Sequence, residues 1–513
     1  MYSFKMHIVH IATEFAPLCK VGGLGDVVTG LSRELTGLGE RVEIILPKYN
    51  FVKLNFQVEV SSFYVNEKNT SIDNTMWKAE SEDCSLHFLE SHHPHQYFNR
   101  EKIYGYDDDT PRFIYFSKAV VEYLKLKKEP IDVLHLHDWH VSTVALLVKQ
   151  LYQNEISVKK IILSIHNIEH QGKCASHDLT AIEIPYELTE PLKGDNPHFP
   201  ETVNLLKAGI IYSDAIVTVS PTYAKEILTP QYGFGLEKIL QQNKTKLLGI
   251  LNGLDAKLWN PETDPFLKQH YTASDSMKKV LNAKQKTKKS IFNSTNQPWI
   301  GTISRLVPQK GPELIEEALR KTVEMGGVFI ILGSSPIPEI QSHFESLKQS
   351  YKDNPNVQII LEYNEELSHT LFAALDFLVV PSHFEPCGLT QMIAMRFGTV
   401  PIVRATGGLK DTVYDCEDFS NPAQIRNGFS FQKATKQDMA HTIQRAIHLF
   451  KNDPIAFQSL IKHGMNTDFS WKRPAREYLR IYQIKDNQSL LDRFYYLSKK
   501  KSSALSEEKN ALR

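Results

Sequence analysis

The chain has 513 residues, 42% of them hydrophobic and 23% charged, values of an ordinary globular protein long enough for about two or three domains. Lysine plus arginine and aspartate plus glutamate both number 59, a balance that argues against nucleic acid or an anionic membrane as the main partner. Five scattered cysteines without a CxxC pair argue against a disulfide framework or zinc knuckle, and no apolar run approaches membrane-spanning length.

The N-terminus enters a strand-like MHIVHIA run that lacks the length and cleavage site of a signal peptide, so a cytoplasmic location is expected. Met6–Ala12 reads as a buried strand, and Lys20-Val21-Gly22-Gly23-Leu24-Gly25-Asp26 as a glycine-rich loop. Leu24–Leu38 reads as a helix, so the three form the first unit of a doubly wound fold. The loop has neither Walker A nor dinucleotide spacing. Its glycines let backbone approach a ligand and Lys20 offers a point charge to a phosphate; the bland alternative is a structural turn with a surface lysine.

Val42–Leu46 is the next strand, and residues 50–115 alternate like an antiparallel insertion. Within it, His92-His93-Pro94-His95 and Asp107-Asp108-Asp109 read as solvated loops rather than metal ligands. Val133–Leu136 is a strand ending in His137-Asp138-Trp139-His140, and a helix is expected from Ser142 to Tyr152. Ile161–Ile165 is a strand ending in His166-Asn167. The histidines at 135, 137, 140 and 166 show no fourth zinc ligand; a polar cleft at strand ends accounts for several, and His135 reads as a satisfied core histidine. A helix over Val203–Ile211, a strand over Ala215–Val219, a helix capped at Ser220-Pro221-Thr222 and a strand over Leu247–Leu251 follow. Leu254–Pro265 reads as a linker.

The second half restarts the pattern, with strands at Trp299–Ile303, Val328–Leu332, Val357–Ile360, Phe377–Val380 and Val400–Val403, each with a helical neighbour, as in a second parallel sheet. The most informative stretch is 376–413. One strand-to-helix loop presents the lone carboxylate of Glu385, and the next presents Thr406-Gly407-Gly408, whose amides at a helix start suit a phosphate. Arg305 and Lys310, in the loop after the first strand of this half, would stabilise the charge that develops on a departing diphosphate. Each feature has a plain structural alternative, a solvated side chain or a tight turn. The last helix is expected over Arg473–Ile484, and a polar, disordered tail from 498.

KVGGLGDV, HDWH, the IHN…QG stretch, SPTYAKEI, LNGLD, SRLVPQKG, HFEPCGLTQ and TGGLKDTV occur in the order seen in bacterial glycogen synthases and plant starch synthases, and the chain resembles that family over residues 6–484. The resemblance implies a GT-B fold, two Rossmann-like doubly wound α/β domains facing an interdomain cleft. It divides the chain into an acceptor-side domain (1–253), a linker (254–265), a nucleotide-sugar domain (266–472), a helix crossing back (473–497) and the tail (498–513). It implies transfer of glucose, with retention, from a nucleotide-glucose donor (ADP-glucose before UDP-glucose) to the non-reducing 4-OH of an α-1,4-glucan, with no metal and no cofactor.

By the same resemblance, Lys20, Gly22 and Gly23 approach the donor phosphates and glucose, and Asp26 sits near the acceptor. Asp138, His166 and Asn252 line the glucose site, with the His166 carbonyl near the anomeric carbon. Arg305 and Lys310 hold the diphosphate, Tyr363 stacks on the base and Glu385 binds glucose hydroxyls. Cys387, Gly388, Thr406, Gly407 and Gly408 complete the donor site. No carboxylate nucleophile is identifiable, so front-face attack is implied, the departing phosphate taking the acceptor's proton. Three positions qualify the match: His170 replaces an aromatic residue before Gln171-Gly172, Glu362 replaces a common glycine before Tyr363, and Ile393 stands where many GT-B enzymes carry a ribose-binding glutamate. The competing expectations are a GT-B transferase with a small acceptor and an inactive glucan-binding paralogue.

Overall fold

The computed structural model describes residues 5–53, 58–68, 70–80, 84–194, 198–291 and 296–484. Two compact units result, Met1–Gly253 with Trp471–Arg513, and Leu254–Ser470. Among the described residues no disulfide forms and no helix is long and apolar enough to cross a membrane.

In the first unit the strands are β1 (His7–Ile11), β2 (Arg41–Pro47), β3 (Val58–Glu67), β4 (Thr70–Glu80), β5 (Ser85–Ser91), β6 (Ile131–His137), β7 (Val158–Ile165), β8 (Lys173–Ala175), β9 (Thr202–Asn204), β10 (Ala215–Thr218) and β11 (Leu247–Gly249). Nine of them form one sheet in the order β11-β10-β7-β6-β1-β2-β5-β4-β3, parallel from β11 to β5 and antiparallel at β5-β4-β3. The fully buried run of β1, and of β6 apart from Asp132, is what a strand covered on both faces requires. The chain leaves β1 to one side for β2 and returns on the other side for β6, so the strand order reverses between β1 and β6. Ligands of open α/β sheets bind beyond the carboxyl ends of strands at such a point.

The second unit contains β12 (Trp299–Ile303), β13 (Val328–Leu332), β14 (Val357–Ile360), β15 (Phe377–Val380), β16 (Val400–Arg404) and β17 (Phe429–Phe431), a parallel sheet in the order β14-β13-β12-β15-β16-β17. Its order reverses between β12 and β15. Arg305 and Lys310 follow the first of these strands, Glu385 the second, so the reversal brings those two loops side by side.

Several elements differ from the sequence-based expectation. The single helix expected over 142–152 is two pieces, an α-helix at Thr143–Leu146 and a π-helical turn at Leu147–Leu151, preceded by a 3-10 turn at Trp139–Val141. Val203 and Asn204 belong to β9 rather than to a helix. The helix begins at Leu205 because the Asn204 side chain accepts from the Lys207 N–H at 3.3 Å, a cap that sets the start two residues later. The stretch 254–265, expected as the linker, lies within the second unit, where Asp264 is buried and bonds His369 Nδ1 at 2.6 Å, and Trp259 stacks on the same ring. The histidine and aspartate runs of the insertion are solvated only in part: His92, His95 and Asp107 are exposed, as expected, but His93, Asp108 and Asp109 are not. His93 is buried, bonds Glu67 and stacks on Tyr97, while Asp108 and Asp109 pair with Arg100 and the buried Arg112. The last helix runs over Lys472–Gln483; residues 485–497 and the 498–513 tail lie outside the described residues.

Candidate active site

In the first unit the glycine-rich loop is held from beneath. Glu14, just past β1 and buried, accepts the Val21 and Gly22 N–H groups at 2.7 and 3.0 Å with one carboxylate oxygen, and takes the Tyr104 hydroxyl at 3.0 Å on the other. Lys20 Nζ reaches Asp26 at 2.7 Å, so the phosphate-facing lysine expected from the sequence is ion-paired with the residue expected near the acceptor. The helix Gly23–Gly37 follows directly, with Gly22 as its cap. Glu14 and Tyr104 were not among the expected site residues; their only sequence signal is an acid two residues beyond a buried strand.

At the ends of β6 and β7, Asp138 occupies φ 62°, a region non-glycine residues rarely adopt. It stays there because its carboxylate accepts the His166 N–H at 2.7 Å while its own N–H donates to the Ser164 carbonyl at 2.9 Å. Asp138 therefore braces the His166 backbone, whose carbonyl is the group expected near the sugar. Burial pushes its carboxyl up to about 7, against the pull of the His166 and Asn167 N–H groups. Asn252 is buried with its Oδ1 lacking any partner among the described residues, an acceptor of the kind a hydroxyl-rich ligand satisfies.

Behind this edge, His10, His135 and His137 form a buried cluster whose ring nitrogens lie close enough to hold a metal. Hydrogen bonds already account for nearly all of them. His10 Nδ1 meets His137 Nε2 at 2.9 Å, His137 Nδ1 meets His166 Nε2 at 3.0 Å, and His135 bonds the Tyr482 and Ser164 hydroxyls, both at 2.7 Å. His135 is thus a satisfied core histidine, as the sequence suggests.

These histidines make stability depend on pH. Burial lowers His10 and His166 to about 3 and holds His135, His137 and His140 well below the ordinary range. The unfolded chain therefore binds protons below about pH 6.5 that the folded chain refuses, each histidine removing up to about 1.4 kcal/mol of stability per pH unit. Asp138 acts in the opposite sense. Its folded value of about 7 lies above the ordinary 3.8, so its contribution is lost as pH rises through that window. Near pH 5.5 five histidines outweigh one carboxyl. The urea midpoint is expected to fall from pH 7 to 5.5, with net proton uptake on unfolding; a midpoint that is flat or rises over this range contradicts the assignment of neutral buried rings.

In the second unit, Lys310 Nζ donates to Glu385 Oε2 at 2.5 Å, and the buried Ser382 hydroxyl donates to the same oxygen at 2.8 Å. Glu385 Oε1 has no protein partner among the described residues, which leaves one carboxylate oxygen for a ligand. The two loops are stitched by the main chain as well, with His383 N–H to the Gln309 carbonyl at 2.8 Å and Gln309 Nε2 to the Phe384 carbonyl at 3.1 Å. Arg305 is exposed and forms no ion pair among the described residues, and Tyr363 is 84% exposed.

The glycine pair departs from expectation. Gly408 N–H already donates to the Glu385 and Pro386 carbonyls at 3.1 and 3.2 Å, and Leu409 N–H to Thr406, so Gly408 does not present a vacant amide to a phosphate. The pair instead lets two loops touch. A Cβ on Gly407 would lie 1.9 Å from the Glu385 carbonyl oxygen, and one on Gly408 2.0 Å from that of Cys387. The N–H groups of Gly388 and Leu389, in the loop that leads into the next helix, have no acceptor among the described residues. The structure thus brings Lys310 and Glu385 together, with Cys387, Gly407 and Gly408 behind them, and in the first unit Lys20 with Asp26 and Asp138 with His166.

Residues 7–242 match the starch synthase catalytic domain family and 283–453 the group 1 glycosyl transferases. The glycogen synthase of Protochlamydia amoebophila (strain UWE25) is 45% identical over 500 residues, spanning 93% of this chain and 99% of that one. The chain belongs to the glycogen and starch synthase family. As in that family, it is a glucosyltransferase with two Rossmann-like α/β domains of the GT-B type. Among solved structures of this family, the catalytic domain of starch synthase IV from Arabidopsis thaliana, bound to ADP and acarbose, is similar with a TM-score of 0.87 and 41% identity, covering 93% of this chain and 99% of that one. Sucrose-phosphate synthase from Thermosynechococcus elongatus shares the fold alone, at a TM-score of 0.58 and 19% identity.

Proposed function

We propose that the chain elongates an α-1,4-glucan, transferring glucose from ADP-glucose to the non-reducing 4-OH with retention. The observation that carries this reading is the Lys310–Glu385 contact at the strand-order reversal of the second unit: a cation for an anionic leaving group, held on a carboxylate that keeps one oxygen for sugar hydroxyls. ADP as the nucleotide is supported by the Arabidopsis starch synthase IV structure, whose bound molecules include ADP.

In this reading the bond between the anomeric carbon and the diphosphate oxygen breaks, and the bond to the acceptor O4 forms on the same face. The 4-OH proton passes to the departing phosphate oxygen. Arg305 and the donors left on Lys310 stabilise the charge growing on the diphosphate, and Tyr363 stacks on the base. The N–H groups of Gly388 and Leu389 supply the amides first assigned to Gly407 and Gly408. Cys387 and Thr406 shape that loop, while Glu385 Oε1 and Asn252 Oδ1 accept from glucose hydroxyls. The His166 carbonyl, braced by Asp138, faces the positive charge at the anomeric carbon. Lys20, released from Asp26, meets a phosphate on the Gly22-Gly23 side and frees Asp26 for the acceptor. No step requires a metal ion.

The test is a donor and acceptor panel on purified protein: ADP-glucose or UDP-glucose, each with glycogen or with a small sugar phosphate. ADP-glucose with glycogen is expected to give a kcat/KM at least about tenfold above every other pair, about 1.4 kcal/mol of discrimination. Equal or better transfer to the sugar phosphate contradicts the reading.

A further inference from the structure

The hydrogen bonds His10 Nδ1–His137 Nε2 and His137 Nδ1–His166 Nε2 make three imidazoles one chain, running from a fully buried position on β1 to the edge where His166 is partly exposed. A neutral imidazole carries one N–H, so each ring in the chain donates in one direction only. Two arrangements satisfy both bonds. In one, every N–H points toward His166, which accepts at Nε2 and carries its own hydrogen on Nδ1. In the other, every N–H points toward His10, and His166 Nδ1 is a bare acceptor.

The buried end of the chain separates the two. His10 is fully buried, and its Nε2 has no partner among the described residues. The first arrangement leaves a lone pair there, the second an N–H without an acceptor. Stranded buried N–H groups are rarer than under-satisfied acceptors, and an unsatisfied buried group costs about 1–3 kcal/mol. The neighbouring rings keep the chain in place: His135 stacks on His137 with centroids 4.4 Å apart and is itself tied at both nitrogens by Tyr482 and Ser164, so it cannot join the chain or divert a proton from it. The outer end is open, since His166 Nδ1 has no protein partner among the described residues.

We propose that His10 and His137 are positioning residues that hold His166 as an Nδ1–H donor, so that the ring offers a hydrogen, rather than a lone pair, to an oxygen of the glucosyl donor. The inference rests on the reading that His166 lies beside the reacting sugar, but the tautomer itself does not depend on it. A ring in the wrong tautomer in an active site loses its bond to the substrate and repels the oxygen it should hold, which in other enzymes lowers turnover by orders of magnitude.

The test joins spectroscopy to kinetics on the full chain. In two-bond 1H–15N spectra of histidine-labelled protein, with His166 assigned through His166→Gln, His166 is expected to be protonated on Nδ1. His10→Leu, which removes the donor to His137 Nε2, should shift His166 toward Nε2–H and lower kcat about ten- to a hundredfold with KM for the nucleotide sugar changed less than about threefold. His10→Asn, whose amide N–H falls near the position of Nδ1, should restore both tautomer and kcat to within about threefold of wild type. An Nε2–H His166 in the wild type, or a His10→Leu protein with an unchanged spectrum, overturns the proposal. If the spectrum moves as expected while kcat does not, the relay stands and the placement of His166 beside the sugar fails.

Discussion

Replacing Glu385 by glutamine is expected to lower turnover about a hundred- to a thousandfold while the fold survives, because the change removes a charge from a site where little else can replace it. Glu385 Oε2 is the meeting point of Lys310 Nζ and the Ser382 hydroxyl, and Oε1 is the oxygen left for a sugar. Lys310→Ala is expected to do comparable damage to turnover for a different reason: it removes a cation from the leaving group and frees the carboxylate it restrains. The two act as a unit, so the double variant should be little worse than either single one, a strong departure from additivity in a double-mutant cycle. Thermal unfolding of the three proteins supplies the control. Glu385 is buried but Lys310 is only partly so, and each single change should cost no more than about 3 kcal/mol of stability. Near-normal turnover in either single variant removes that residue from the mechanism.

Gly408→Ala is expected to be more disruptive still, and through backbone rather than charge. The new Cβ would stand 2.0 Å from the Cys387 carbonyl oxygen and 2.5 Å from its Cα, main-chain atoms that cannot swing aside as a flexible side chain can. Gly407→Ala meets the Glu385 carbonyl oxygen at 1.9 Å and must also adopt φ +45°. Either the loop carrying Glu385 moves or the unit loses about 3 kcal/mol or more, and in both cases transfer should fall by over a hundredfold. Gly22→Ala is the contrasting case. No atom lies within 4 Å of its added Cβ, so its melting temperature should stay near wild type, and any loss of turnover there reports on the approach of a ligand. A Gly408→Ala protein with wild-type melting and turnover would show that the two loops do not need to touch.

The comparison of these glycines shows where sequence reading stops. Thr406-Gly407-Gly408 at a helix start correctly announces close backbone approach, but not what approaches. A phosphate and a neighbouring loop impose the same demand on a Cβ, and only the hydrogen bonds of Gly408 to the Glu385 and Pro386 carbonyls separate them. The parallel strands were legible because strands covered on both faces are continuous apolar runs; Val328–Leu332 and Val357–Ile360 have the bounds expected. The break in the helix after β6 was not, since its apolar residues keep helical spacing from the α-helical turn into the π turn that interrupts it.

Polar residues that act by supporting others were the least legible. Glu14 holds the glycine-rich loop, Ser382 shares an oxygen with Lys310, and Lys284 is buried against the Ala373 carbonyl and the Thr399 hydroxyl at 3.0 Å each, its ammonium lowered to about 7 by burial. Each lies far in sequence from at least one of its partners or carries no spacing that marks it, so its role exists only once the fold has formed. His10 is the clearest example. In the sequence it is one polar letter inside an apolar strand, and in the structure it is the far end of a hydrogen-bonded chain that reaches His166.

The central claim is that glucose leaves a nucleotide diphosphate and arrives, with its anomeric configuration kept, on the end of a glucan. The direct measurement supplies ADP-[14C]glucose and glycogen, follows ADP release and label incorporation together, and digests the product with β-amylase. ADP and incorporated glucose are predicted to appear one for one, with the label released as maltose, as α-1,4-linked non-reducing ends require. ADP release without incorporation, or label that β-amylase cannot remove, contradicts the account.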